Sequence, residues 1–380
     1  MKVAIIHYWL TSMRGGEKVL ESLCRLYPQA DIFTHVYNPE KISDTIKRHK
    51  IATTFIAKLP FAMSKYQMYL PLMPIALEQL DLTGYDLVIS SESGPAKGVV
   101  TRPDAVHICY CHSPMRYVWD MYHSYIKNAG FVKRLLMAPL IHYMKLWDYS
   151  SSARVDHFIA NSSYVAKRIK KIYRRDASVI NPPVDTDSFF TSKDTADYYL
   201  MLGQLVPYKR PELAVEAFIK SGKNLVVIGE GEYLSELKKM AKGANHIKFL
   251  GRQDFSQIQK AYSECKALVF PGVEDFGIVP LEAMASGRPV IAFGAGGVLD
   301  SVRNAQTGIL FNEQTVNSLN KAIEKYEGGT LTFYPELLRE HAQKFNLSEF
   351  EYSLSKFIAS KLTQGDEVSG RKIWDSRSVA

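Results

Sequence analysis

Residues 270–287 read FPGVEDFGIVPLEAMASG and contain two carboxylates, Glu274 and Glu282, with seven residues between them. Val269 and Phe270 read as the end of a buried strand, which Pro271 and Gly272 break. Pro280 suits the first turn of a helix, where its missing N–H would be unpaired in any case. Leu281, Ala283, Met284 and Ala285 continue that helix, and Gly287-Arg288-Pro289 ends it. The expectation is a strand, a loop carrying Glu274, and a helix with Glu282 in its first turn. Free N–H groups and a positive partial charge at a helix N-terminus suit a phosphate. Carboxylates beside such an anion need another task, and accepting hydrogen bonds from sugar hydroxyls is one. An E-x7-E pair alone fits a plain capped helix equally well. Phe276-Gly277-Ile278-Val279 tips the reading toward a ligand, because a glycine among bulky apolar residues lets backbone approach one closely.

The same strand–helix rhythm extends on both sides of this stretch. Strands are expected at 198–203, 224–229, 246–250, 266–270 and 289–292, with another near 308–311. Their spacing predicts a parallel doubly wound sheet. The first of them leads into Gly203-Gln204-Leu205-Val206-Pro207-Tyr208-Lys209-Arg210-Pro211. Cations at a strand's C-terminal end, beside a helix opened by proline, suit a diphosphate; a solvated basic loop is the bland alternative. Upstream, NPPVDTDSFF at 181–190 contains the D-x-D Asp185-Thr186-Asp187. The Pro-Pro pair and the polar run after it mark a linker rather than a metal site. Domains are expected at 1–190 and 191–347, with a last helix at about 348–362 packing back on the first and a mobile tail at 363–380.

The first half begins with a strand up to His7, a loop, and Gly15-Gly16-Glu17 opening a helix to about Tyr27. A glycine pair where a strand loop meets a helix lets backbone approach an anion. A strand at Val106–Cys111 delivers His112 at its carboxyl end, where ligands bind in open α/β sheets. A satisfied structural histidine remains open there. Cys109, Cys111 and His112 make a poor metal set, since C-x-C in one strand lacks a second ligand pair. Segments 55–77 and 126–147 mix apolar residues with Lys58, Lys65, Lys127, Lys133, Arg134 and Lys145. Both fit either core structure or a membrane surface.

Of the net charge of +8, the whole excess lies in residues 1–190, with 24 Lys+Arg against 16 Asp+Glu; residues 191–380 hold 23 of each. Nucleic acid or an anionic membrane would match that excess, and no nucleic-acid module is visible; ordinary solubility charge is the bland alternative. Four cysteines form no disulfide framework, so a reducing cytoplasm is expected. The N-terminal MKVAIIHYWL lacks the long apolar region of a signal peptide. No run of about 18 apolar residues predicts a transmembrane helix.

Residues 274–285 resemble the EDFGLVPLEAMA signature of the retaining glycosyltransferases of family 4, which have the GT-B fold. CHSPMRYVWD, from Cys111, resembles the HSPMRYxWD block of that family's bacterial O-antigen and related mannosyltransferases. Residues 203–210 resemble its GRLxxxKR block, except that Gln204 stands where the family usually has Arg. Gln can hydrogen-bond but cannot neutralise charge. The resemblance implies two Rossmann-like domains facing across a cleft, with His112, Glu274 and Lys209 at the reacting centre. It assigns donor binding to Gly15, Gly16, Gln204, Lys209, Arg210, Glu274, Phe276, Gly277, Ile278, Val279 and Glu282, the last to the ribose hydroxyls, and gives Arg252 the neighbourhood of the base. It implies no metal or other cofactor. The implied partners are a nucleotide-sugar donor, GDP-mannose first, and a lipid-linked glycan acceptor at the cytoplasmic face of the inner membrane. UDP-sugar transfer, or a non-catalytic binding module, are the alternatives.

Overall fold

The structure, a computed structural model, describes residues 1–120 and 131–369. It divides into two units, Met1–Pro182 with Phe350–Ala380, and Pro183–Glu349.

The first unit has seven parallel strands: β1 (Val3–His7), β2 (Asp31–Thr34), β3 (Ile51–Thr53), β4 (Leu87–Glu92), β5 (Val106–Cys111), β6 (His157–Ala160) and β7 (Ala177–Val179). Their order is β3-β2-β1-β4-β5-β6-β7. β1 and β4 are buried along their whole length, as expected of strands covered on both faces. The helix α1 (Gly15–Leu26) follows β1, α2 (Phe131–Ser151) follows β5, and α3 (Ser163–Tyr173) follows β6. Ser162 caps α3 by accepting from the Val165 N–H at 3.0 Å.

Segment 55–77 proves to be a series of short helical turns around Pro60, Pro71 and Pro74. Ile56, Ala62, Met73 and Ala76 are buried there, while Phe61 is 75% and Met68 70% exposed. α2 is divided in the same way. Met144 and Trp147 enter the core, whereas Leu135 and Leu146 are 66% and 58% exposed. Each segment thus contributes to the core and also exposes apolar side chains. Lys127 and the side chains of Lys133 and Arg134 lie outside the described residues.

The second unit has six parallel strands: β8 (Tyr199–Leu202), β9 (Leu225–Ile228), β10 (Ile247–Gly251), β11 (Leu268–Phe270), β12 (Val290–Phe293) and β13 (Gly308–Phe311). Their order is β10-β9-β8-β11-β12-β13. Its main helices are α4 (Pro211–Ser221), α5 (Leu234–Met240), α6 (Phe255–Glu264), α7 (Ile278–Ala285), α8 (Val316–Glu327) and α9 (Pro335–Gln343). In both units the chain reverses its direction of strand addition between the first strand and the fourth. That switch point is where open α/β sheets take ligands.

The boundary falls at Pro182–Pro183, earlier than the expected 190. Val184 and Phe189 are buried in the second unit's core. The polar run beyond them is tied down by the buried Arg288, which donates to Ser192 O at 3.1 Å, Asp194 O at 3.0 Å and Thr195 Oγ1 at 2.6 Å. The last helix, α10 (Leu347–Ser369), outruns the expected end at 362 and occupies the start of the supposed tail. Its Phe350, Leu354, Ile358 and Leu362 are buried among Val3, Ile5, Leu20 and Tyr110 of the first unit. No helix among the described residues is long and apolar enough to cross a membrane.

Candidate active site

In the second unit, β8 and β11 are neighbours, and the turns after them bring Lys209 and Glu274 together. The Lys209 Nζ is 2.8 Å from Glu274 Oε1. Burial works against the lysine's charge, but Glu274 first, with Tyr208 and Glu282, overrides it and holds the ammonium above its usual range. The pair is mostly covered, so its attraction is screened less than that of a surface pair.

The loop from Glu274 enters α7 through Gly277, whose φ of +89° is left-handed backbone that bulky residues avoid. The helix starts only at Ile278, so Pro280 is its third residue. Glu282 consequently stands in the second turn, a correction to the first-turn expectation. No side chain caps this helix. The N–H groups of its first residues therefore have no partner within the helix. Phe276 is buried in the core, so only its backbone is available to a ligand, while Ile278 and Val279 are half-buried. The Gly297 N–H donates to Glu274 O at 2.9 Å and pins the loop from the far side.

Glu282 Oε2 accepts from the Tyr262 hydroxyl at 2.7 Å. Burial raises the Glu282 pKa, the Tyr262 bond opposes that, Asp185 adds to it and Lys209 works against it; the net direction is upward. Of the other expected donor contacts, Gln204 and Arg252 are exposed. Arg252 follows β10, which β9 and β8 separate from β11, so at about 4.8 Å per strand β10 and β11 lie roughly 14 Å apart. Arg210 is paired with Glu212 and donates to Gln314 Oε1 at 3.4 Å. It is thus partly neutralised, which limits how far it can stand in for an arginine at 204.

In the first unit the adjacent strands β1, β4 and β5 end together, which gathers His7, Ser91 and His112. His112 Nε2 is 2.9 Å from Ser91 Oγ, and its backbone N–H donates to Glu92 O at 2.8 Å. Burial, then the neighbouring His7, pull the imidazole down to about 3 against the opposing Glu17, so it is neutral at physiological pH. A Cβ on Gly16 would lie 2.2 Å from the Tyr8 hydroxyl and 3.6 Å from His112 Nε2. Glycine lets the start of α1 lie against the Tyr8 hydroxyl, while His112 would meet such a Cβ only at ordinary contact distance; Gly15 opens the same turn. Glu17 Oε2 accepts from the Arg14 N–H at 2.9 Å, and its Oε1 lies 3.8 Å from His7 Nε2. Among the described residues no three His, Cys, Asp or Glu side chains form a group able to hold a metal ion.

Sequence reasoning missed Tyr262, Ser91 and Tyr8. Ser91 had a signal, a small polar residue at the end of a buried strand. Tyr262 had none, because its partner lies on another element.

Two family descriptions match the chain. "Glycosyltransferase Family 4" covers residues 13–188 and "Glycosyl transferases group 1" residues 185–344. The chain is similar to the O-antigen chain mannosyltransferase RfbU of Salmonella typhimurium, 33% identical over 155 residues, 37% of this chain and 43% of RfbU. It is also similar to a GDP-mannose-dependent alpha-(1-6)-phosphatidylinositol monomannoside mannosyltransferase of Mycobacterium tuberculosis, 29% identical over 192 residues, 43% of this chain and 50% of that protein. The matches thus span about half the length of these relatives. HepE of Anabaena, solved in complex with UDP, shares the fold with a TM-score of 0.68 at 16% identity, over 95% of this chain and 100% of HepE. The fold class is GT-B.

Proposed function

The chain belongs to the glycosyltransferases of family 4 and group 1, and on that footing we propose that it is a retaining mannosyltransferase. In this reading it moves mannose from GDP-mannose onto a lipid-linked oligosaccharide of a surface polysaccharide. The observation that carries the reading is the Lys209–Glu274 ion pair beside the uncapped start of α7. Lys209 neutralises the charge that grows on the diphosphate as the bond to the sugar breaks, the larger part of catalysis when no covalent help is given. The backbone of Phe276, Gly277, Ile278 and Val279 meets the sugar and diphosphate. Glu274 accepts from a sugar hydroxyl and Glu282 from the ribose. His112, neutral, contacts the donor sugar by hydrogen bonding, and the turn at Gly15 and Gly16 faces the diphosphate. Gln204, Arg210 and Arg252 bind the donor more weakly. The leaving diphosphate takes the acceptor proton, and no metal takes part.

The names of the two relatives support mannose as the sugar, and one supports GDP-mannose as the donor. The exposed apolar side chains of segment 55–77 and α2, with the basic excess of residues 1–190, support peripheral attachment to an anionic membrane at its cytoplasmic face. The test is release of free GDP from GDP-mannose only when a lipid-linked acceptor is present. Release from a UDP-sugar instead would change the donor, and tight nucleotide binding without turnover would make the chain a binding module. Sedimentation with anionic vesicles, weakening as salt rises, tests the attachment; binding indifferent to lipid charge would remove it.

A further inference from the structure

Tyr262, on α6, has its ring buried edge-on against Phe189, with centroids 5.6 Å apart. Its neighbours in the core are apolar, among them Leu281 and Met284. Phenylalanine would fill that space equally well, so the hydroxyl needs a separate reason. A buried tyrosine hydroxyl is normally hydrogen-bonded, and this one donates to Glu282 Oε2 at 2.7 Å. Among the described residues it is the one hydrogen-bond donor to that carboxylate. A vicinal diol is best held by both oxygens of one carboxylate, and that requires the carboxylate plane to be fixed before the ligand arrives.

We propose that Tyr262 is a positioning residue for donor binding, its hydroxyl fixing the plane of the Glu282 carboxylate so that both oxygens accept from a vicinal diol. The inference rests on the reading of Glu282 as the ribose contact. The surroundings bear on its pH behaviour. Burial favours the neutral carboxyl, the Tyr262 hydroxyl favours the ionised one, Asp185 opposes ionisation and Lys209 supports it. Glu274 also faces the Tyr262 hydroxyl.

The experiment uses the full chain with Tyr262→Phe, Glu282→Gln and both together. Binding of GDP, with UDP alongside, is measured by calorimetry, and turnover of the nucleotide sugar is measured at several pH values. For Tyr262→Phe the expected result is a roughly five- to tenfold weaker nucleotide Kd and donor KM with kcat within about twofold, the mark of a hydrogen bond to a charged group used in binding. The acid limb of binding should also move to higher pH, because the ionised carboxylate has lost its donor. In the Glu282→Gln background the same change should add nothing. A silent Tyr262→Phe beside a damaging Glu282→Gln overturns this inference alone. So does a loss confined to kcat, an unmoved acid limb, or an equal loss in the Gln background. A Phe variant that fails to fold makes the hydroxyl a structural requirement and overturns the positioning role. A Glu282→Gln protein with unaltered nucleotide binding overturns the ribose reading and this inference with it.

Discussion

The strand ends of the two units are built alike and carry different electrostatics. In the second unit the switch point holds charge, with an ammonium kept ionised by Glu274 and a second carboxylate held by Tyr262. In the first it holds a neutral imidazole, His112, hydrogen-bonded to Ser91. One topology therefore serves two chemistries, and the side chains after each strand choose between them. A charged end suits a diphosphate, whereas a neutral one can touch a sugar without opposing a positive charge that develops on it.

The largest test of that contrast is Lys209→Ala. Removing the charge should lower kcat about 10²–10³-fold, on the scale of a lost transition-state donor, with donor KM changing far less. Single-turnover kinetics separate the two, and an effect on KM alone would make Lys209 a binding residue only. Next is Glu282→Ala, which should raise donor KM while leaving kcat near its original value. A charged hydrogen bond contributes roughly 1.5–3 kcal/mol, or about ten- to more than a hundredfold in KM.

The neutral side of the comparison has a signature in stability. Burial lowers His35 and His107 to about 4, and His112 to about 3, from an unfolded value near 6.5. The unfolded chain then binds more protons than the folded one between about pH 3 and 6.5. Stability rises with pH through that window and is lost on acidification. The described tryptophans, Trp9, Trp119 and Trp147, all lie in the first unit, so tryptophan fluorescence reports its melting. Its Tm should drop by several degrees between pH 7.5 and 5. A flat Tm would mean that these rings are already solvated. The smallest effect belongs to Gln204→Arg. If Gln204 is a weakened form of a cation, initial rates should stay equal or rise by less than about threefold. A sharp loss would mean that the amide is adapted to its own contact.

Much of the charged site was legible in the sequence, because strand breakers, a proline near a helix start and widely spaced carboxylates are local signals. Pro280 lies in the first turn as expected, but Glu282 was placed there with it, whereas the left-handed Gly277 sets the start at Ile278 and carries Glu282 into the second turn. The neutral site was legible as His112 and the Gly15-Gly16 turn, without the contacts between them. His112 could be placed at a strand end, but its state depends on burial, His7 and Glu17, and the fold rather than sequence proximity brings these near it. The boundary near Pro182 was misread for a similar reason. Polar residues after it look like linker until Arg288, about a hundred positions on, is seen binding them.

The final helix has a consequence for synthesis. Phe350, Leu354, Ile358 and Leu362 wall off a core whose other residues begin at Val3. A ribosome therefore finishes every strand of the first sheet long before it makes the side chains that cover this face. The second unit, one contiguous stretch from Pro183 to Glu349, can close as soon as it emerges. The amino-terminal half of the nascent chain must wait with an apolar face open while its later neighbour folds. A premature stop just before Phe350 would thus spare the unit beside it and strand the older one unfinished, a ready client for chaperones and proteases.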